Sequence, residues 1–360
     1  MPRVIVIGSG VMGASVAYRL AVAGASVTVL EAGRIGGGTS SCTFAWTNAN
    51  EKTPRAYYEL NLAGMRAHAA LAEEFGGTPW WHPGGSVEWP VDPAKFERLR
   101  SWGYAAERIT PRQLLELEPD IDPACIGDEA IAYFPDEGWL DPLVYIASML
   151  GAARSLGATV MQNAPVSEPI LAGGRITGVR LADGRAFEGD VVVNCTGRWV
   201  NDWVGDAARH LPMASTVGLL AFTPPVAARV GRLVRSPDIH VRPDGAGRLA
   251  CIDPDEVLPP FEPFPGASTP VAIELVRRAS RLLPCIGDVK PEAVRMAIRP
   301  IPMDSYSAVG PMPRVDGYYL AVTHSGVTMA PFLGKAVADE IVHGRVTDAL
   351  ADFRPARFFN

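Results

Sequence analysis

A run of β-branched residues, Val4-Ile5-Val6-Ile7, passes directly into Gly8-Ser9-Gly10-Val11-Met12-Gly13, and after a helical pattern the chain reaches Val27-Thr28-Val29-Leu30-Glu31. Strand, glycine turn, helix and a second strand tipped by an acid are the fingerprint of a dinucleotide-binding βαβ unit. Gly8 allows the tight turn, Gly10 lets the backbone approach a pyrophosphate, and Gly13 lets the helix pack closely on the strand. The first helical N–H groups, from Val11 and Met12, and the positive end of the helix dipole then face an anion. Glu31, followed by Ala32, stands where a carboxylate accepts hydrogen bonds from a ribose 2′-hydroxyl. The same glycines would serve a turn built for packing alone; the coincidence of strand, turn, helix and acid favours a bound adenine dinucleotide. Which dinucleotide is left open.

At 360 residues the chain exceeds the usual size of one domain, so two domains are expected. The net charge of −6 comes from dispersed residues with no basic run, which argues against nucleic acid as a partner. No uninterrupted apolar stretch reaches the roughly 18 residues of a membrane span. With the first strand starting at Arg3, a signal peptide is not expected, and a cytoplasmic enzyme is the simplest reading. The five cysteines, Cys42, Cys125, Cys195, Cys251 and Cys285, are widely spaced without a CxxC pair, and the six histidines show no HExxH. Neither a disulfide framework nor a metal site is expected.

Helical apolar spacing covers residues 54 to 75, and Thr78 to Gly85 is a composition shift typical of a crossing between domains. Ser86-Val87-Glu88-Trp89 alternates like a strand, Thr110-Pro111 and Asp141-Pro142 open helices, and Ala158 to Met161 reads as a strand. Residues 174 to 189 read as a hairpin turning at Asp183-Gly184. Asp190 to Gly197 is a buried parallel strand ending in a glycine turn. Short strands at His240-Val241 and Leu249 to Ile252 and helical spacing at 270 to 282 follow. Tyr318 to Val322 then feeds His324-Ser325-Gly326, with an amphipathic helix from Thr328 to about His343.

Two further strand-to-glycine elements, near Gly197 and Gly326, suit FAD better than a nicotinamide cofactor, because the long flavin dinucleotide lies extended across the sheet. A helix N-terminus at Ser325-Gly326 would face the negative charge of reduced flavin, although an ordinary strand-to-helix turn would look alike. Val4 to Gly13, Glu31, Gly38-Thr39-Ser40-Ser41, Val193 to Gly197, Arg299-Pro300, Gly310-Pro311 and His324 to Pro331 resemble, in order, the D-amino acid oxidase, glycine oxidase and sarcosine oxidase superfamily.

The resemblance implies an α/β fold in which a glutathione-reductase-like FAD-binding Rossmann domain is interleaved with an α+β substrate domain on a mixed or antiparallel sheet. The expected segments are 1–77, 141–213 and 296–360 for FAD, and 78–140 and 214–295 for substrate. Gly8, Gly10, Gly13 and Glu31 would hold pyrophosphate and ribose, and Gly38, Thr39, Ser40 and Ser41 would line the pyrophosphate and ribityl chain. Val166 would meet the adenine, and Thr196, Gly197 and Trp199 fall at the middle turn. Ser325, Gly326, Val327, Thr328 and Met329 would close over the pyrimidine edge of the flavin. No cysteine precedes Asp304 where monomeric sarcosine oxidases attach flavin, so FAD is expected to be non-covalent; Cys42, near a second attachment point of the family, leaves a link there open.

The implied reaction oxidises a C–N bond of an amino acid or secondary amine by hydride transfer, giving an imine that hydrolyses. Arg299 resembles the arginine that pairs with the substrate carboxylate, the alternative being an ordinary ion pair. His240 and His324 are candidate catalytic groups, each of which could equally be a structural histidine. Trp46, Asn48 and Asn50 follow the flavin loop as candidate substrate contacts, or as core packing and turn caps. The four lysines, Lys52, Lys95, Lys290 and Lys335, miss the Leu249–Ile252 stretch where sarcosine oxidases carry an oxygen-activating lysine. That leans toward a quinone or electron carrier as acceptor, with oxygen the alternative, and a homo-oligomer is compatible with the family. The competing functions are a redox-relay or structural FAD subunit of a larger dehydrogenase complex, and oxidation of a 2-hydroxy acid or polyol on the same fold.

Overall fold

The computed structural model describes residues 1–205, 208, 210–255 and 266–359. The β-branched run forms the strand Arg3–Ile7, whose side chains divide by parity. Val4 and Val6 enter a core shared with helices, while Ile5 and Ile7 enter a second core on the opposite face. Burial on both faces is why the run is apolar throughout.

This strand is central in a six-stranded sheet of order Ala308–Pro311, Tyr318–Val322, Val191–Asn194, Arg3–Ile7, Ser26–Leu30, Thr159–Met161. The first pair is antiparallel and the rest parallel. The helices Val11–Val22, Pro142–Ser155 and Gly326–His343 cover one face, and Arg55–Glu74 packs on the last of them. Gly326 opens that helix two residues before the expected Thr328.

The opposite face carries a three-stranded antiparallel sheet, Val166–Ala172, Arg175–Leu181 and Ala186–Glu188. The expected hairpin is its second and third strands. The first escaped the sequence reading because its residues are all exposed or half-buried, so no apolar alternation marks it.

The second large sheet has eight strands in the order Ala293–Ile298, Val217–Phe222, Arg248–Ile252, His240–Asp244, Leu233–Arg235, Ser86–Glu88, Ile131–Phe134, Glu107–Ile109. It is mixed, antiparallel except where Leu233–Arg235 runs parallel to Ser86–Glu88. Ser86–Glu88 does not alternate in exposure, because all three residues are buried. Helix Pro270–Leu282 covers one face through Leu219, Ala221, Val241 and Cys251. Leu220, Phe222, Ala250 and Ile252 take the other face together with Cys42. A helix at Pro111–Leu117 begins with a capping box, Gln113 N on Thr110 Oγ1 at 3.2 Å and Thr110 N on Gln113 Oε1 at 2.9 Å.

A small sheet of Trp46–Thr47, Gly138–Leu140 and Trp81–Pro83 completes the described strands. The expected 141–213, 214–295 and 296–360 segments each include residues outside the described set. The strand Ala293–Ile298 hydrogen-bonds within the eight-stranded sheet, so the chain leaves that sheet after Ile298.

Candidate active site

A cleft of about 980 Å³ runs between the two large sheets, lined by Ile7, Cys195 and Ala321 to Thr323 from one and Gly218, Leu220, His240 and Ile252 from the other. Two helix N-termini open into it, at Gly10-Val11 and Ser325-Gly326, and neither has a side-chain cap from its own N-cap residue.

The glycine turn has the geometry its residue types require. A Cβ on Gly8, which has φ +95°, would stand 2.7 Å from Cys195 O, and one on Gly13 would stand 1.9 Å from Gly8 O. One on Gly10 would lie 2.8 Å from Ser40 Oγ, the atom that accepts from Val11 N at 3.1 Å. Glu31 accepts from Ser9 N at 2.9 Å, Ser9 Oγ at 2.8 Å and Gly33 N at 2.9 Å, which ties the second strand tip to the turn. Oε1, which accepts only from Gly33 N, has room for a further donor, whereas Oε2 already accepts two.

Of the residues expected at a cofactor, Gly8, Gly10, Val11, Met12, Glu31, Ala32, Gly38, Thr39, Ser40, Val166, Thr196, Gly197, Trp199, Ser325, Gly326, Val327 and Thr328 line the cleft. Gly13, Ser41 and Met329 do not. Gly13 is spent on helix-to-strand packing, Ser41 Oγ donates to Gly38 O at 2.9 Å, and Met329 is fully buried in the helical core. The cradle fits a pyrophosphate: bare glycine backbone, the helix N-terminus at Val11-Met12 and the Ser40 hydroxyl, which accepts from Val11 N and keeps its own O–H to donate, line one channel. Cys42 lines the cleft with Sγ 3.8 Å from Gly218 O, and burial pushes its thiol up to about 12. It is a thiol at neutral pH, without the thiolate character that covalent attachment requires.

The same cleft is also lined by Arg299, His240, His324, Trp46 and Asn48. Arg299 follows the strand Ala293–Ile298, its own N–H on Thr216 O at 2.8 Å. Burial and then the Arg235 charge lower the His240 imidazole to about 3. His324 keeps accessible surface at the cleft, yet burial, with Lys52 and Arg299 nearby, lowers it to about 3 as well. Both rings are neutral at neutral pH.

Trp46 is held on two sides. Its Nε1 donates to Glu137 at 2.7 Å, and the Arg235 guanidinium lies 4.3 Å from its ring centre. Asn48 is buried, with its backbone N–H on Thr328 Oγ1 at 3.3 Å and its Oδ1 without a protein partner. Asn50 does not line the cleft; it is wholly buried next to the Ala49 and Tyr58 core.

Sequence reasoning missed Phe44, Glu51, Lys52 and Arg235, all in the cleft wall. For Glu51 and Lys52 the available signal was a polar run, Asn48 to Lys52, directly after the flavin loop. Arg235 had none. Lys52 also removes the argument from a missing lysine: the Leu249–Ile252 stretch has none, but a different segment brings one to the cleft. Among the described residues there is no group of three His, Cys, Asp or Glu placed to hold a metal ion, and no helix long and apolar enough to cross a membrane.

Comparison with known proteins agrees with this geometry. Glycine oxidase of Bacillus licheniformis is 26% identical over 367 residues, covering 98% of this chain and 96% of its own. The crystal structure of glycine oxidase from Geobacillus kaustophilus has a TM-score of 0.86 at 23% identity, covering 100% of both chains. That of L-proline dehydrogenase from P. horikoshii has a TM-score of 0.85 at 22% identity, covering 99% of this chain and 97% of that one. At these identities the two structures speak to the fold. Residues 3–340 match the family described as FAD dependent oxidoreductase, and the chain belongs to that family.

Proposed function

We propose that this FAD-dependent oxidoreductase oxidises the C–N bond of an amino acid or secondary amine. The observation that carries the reading is Arg299, which shares one cleft with the dinucleotide cradle although 286 positions separate it from Gly13 (299 − 13). A guanidinium fork pairs with a carboxylate in two parallel hydrogen bonds and so fixes the substrate's orientation as well as its affinity. Non-covalently bound FAD supplies the hydride acceptor.

The chain's own residues then orient, desolvate and accept hydrogen bonds. His240 and His324, lowered to about 3, are poor proton stores, but as neutral rings they accept an N–H from the substrate amine without repelling it as imidazolium would. Trp46, pinned by Glu137 and Arg235, offers a fixed aromatic wall. The imine hydrolyses in water. Lys52 puts a cation where negative charge builds on an acceptor, so we take oxygen as that acceptor, with a quinone or carrier as the alternative. The five unpaired cysteines suit a reducing cytoplasm.

The test is anaerobic mixing with glycine, sarcosine, proline, the D- and L-amino acids and, beside them, 2-hydroxy acids, followed at the flavin band. Bleaching by an amine is expected, and bleaching by 2-hydroxy acids alone, or by none of these, would sink the reading. Oxygen uptake beside dye reduction identifies the acceptor. Arg299→Leu is expected to weaken apparent affinity for a carboxylate-bearing substrate by about a hundredfold; unchanged affinity rejects the carboxylate role.

A further inference from the structure

The two carboxylate oxygens of Glu51 are not equivalent. Oε1 takes the ammonium of Lys95 and the guanidinium of Arg235, the latter at 3.0 Å. The same two cations hold Glu88, Lys95 Nζ at 2.8 and 2.9 Å and Arg235 Nη1 at 2.7 Å, so two acids and two bases close a ring. Glu88 is buried and uses both of its oxygens in this ring. Glu51 does not: Oε2 accepts no hydrogen bond from any described residue, and the residue is exposed. The side chain is 38% exposed and lines the cleft, close enough to His240 for its charge to act on that ring.

Burial works to raise the Glu51 carboxyl, but Arg235 and Lys95 overcome it and bring it to about 2. The result is a carboxylate that stays ionised at any working pH, anchored through one oxygen and open at the other. Such an oxygen in a pocket wall binds an N–H-bearing cation. The nitrogen undergoing oxidation is a poor occupant, because it must lose its proton before the carbon beside it gives up hydride, and a fixed carboxylate holds that proton on.

We propose that Glu51 Oε2 binds a cationic group of the substrate other than the nitrogen that is oxidised, so that the substrate is an amino acid or secondary amine bearing a second ammonium or guanidinium. This rests on the amine-oxidising reading above. Binding to the FAD-loaded protein is measured by calorimetry for ω-amino carboxylates of increasing length against the unsubstituted carboxylates of the same length. At the length that spans the site, the amino group is expected to tighten binding about tenfold in the wild type. The gain is expected to vanish in Glu51→Gln, to persist in part in Glu51→Asp, and to survive in Glu88→Gln, which disturbs the ring without lining the cleft; flavin content checks the folding of each variant. No gain at any length in the wild type, a gain that survives Glu51→Gln, or an equal loss in Glu88→Gln overturns the proposal. Anaerobic bleaching by lysine, ornithine, alanine and proline runs alongside. Bleaching neither by these nor by any amine of the wider panel above overturns the oxidation reading and with it the substrate class, whereas the calorimetry alone decides whether Glu51 binds a cation.

Discussion

The guanidinium of Arg299 lies over the bare backbone of Gly218: a Cβ there would stand 2.9 Å from Arg299 Nε and 3.3 Å from Nη2. Gly218 pairs with Ala297 on the neighbouring strand, so its missing side chain is what seats the arginine at the cleft. Gly218→Ala is expected to raise KM for a carboxylate-bearing substrate about tenfold, with a smaller change in kcat and in the KM of an amine lacking the carboxylate. Equal effects on both substrates would show that the glycine serves the strand and not the arginine.

Gly13 has no tolerance for a side chain, since its Cβ would stand 1.9 Å from Gly8 O, a backbone atom of the turn. Gly13→Ala must push the first helix off its strand, at a cost on the order of 1–3 kcal/mol, and move the helix N-terminus away from the pyrophosphate. Purified variant protein is expected to carry much less flavin and melt several degrees lower. Wild-type flavin content would contradict the close packing.

Glu137 is wholly buried and accepts from Trp46 Nε1 at 2.7 Å, Ser86 Oγ at 2.5 Å and Tyr104 Oη at 2.7 Å, while burial pushes its carboxyl from 4.5 up to about 7. Between those two values the native state holds a proton that the unfolded chain has released, so this group's contribution to stability falls as pH rises toward 7. Glu137→Gln removes the titration. The melting temperature of the variant relative to wild type is therefore expected to climb between acidic and mildly alkaline pH, by the equivalent of about 3 kcal/mol. A pH-independent difference would mean that the native carboxyl titrates where an unfolded one does.

Cys42 keeps its proton at neutral pH, its thiol pushed up to about 12 by burial. Acid precipitation is expected to release all of the flavin into the supernatant, from wild type and Cys42→Ala alike. Flavin remaining with the wild-type pellet and lost from that of the variant would establish a thioether.

The opening βαβ unit was legible because its signals are local. Backbone freedom at Gly8, close packing at Gly13 and a β-branched strand buried on both faces constrain the chain within about 30 residues, wherever the rest of it goes. Thr110-Pro111 likewise declared their helix, since a hydroxyl cap and a first-turn proline act within one turn. Arg299 was singled out by its motif, and the fold brings it to the cleft.

What the tertiary structure alone decided is which side of the second sheet meets the cleft. Val217–Phe222 is buried at every position, so its apolar run carries no record of face. Only packing of the Pro270–Leu282 helix against Leu219 and Ala221 turns Gly218 and Leu220 to the channel, with His240 and Ile252 beside them. The ring around Glu51 draws on residues 51, 88, 95 and 235, and Trp46 is pinned by Glu137 and Arg235. Such long-range ion pairs have no sequence period, because charges attract across whatever distance the fold has closed. The chain thus announced a dinucleotide site through local backbone stereochemistry, while the shape and charge of the cleft around Arg299 and Glu51 came from strand parity and from contacts between distant segments.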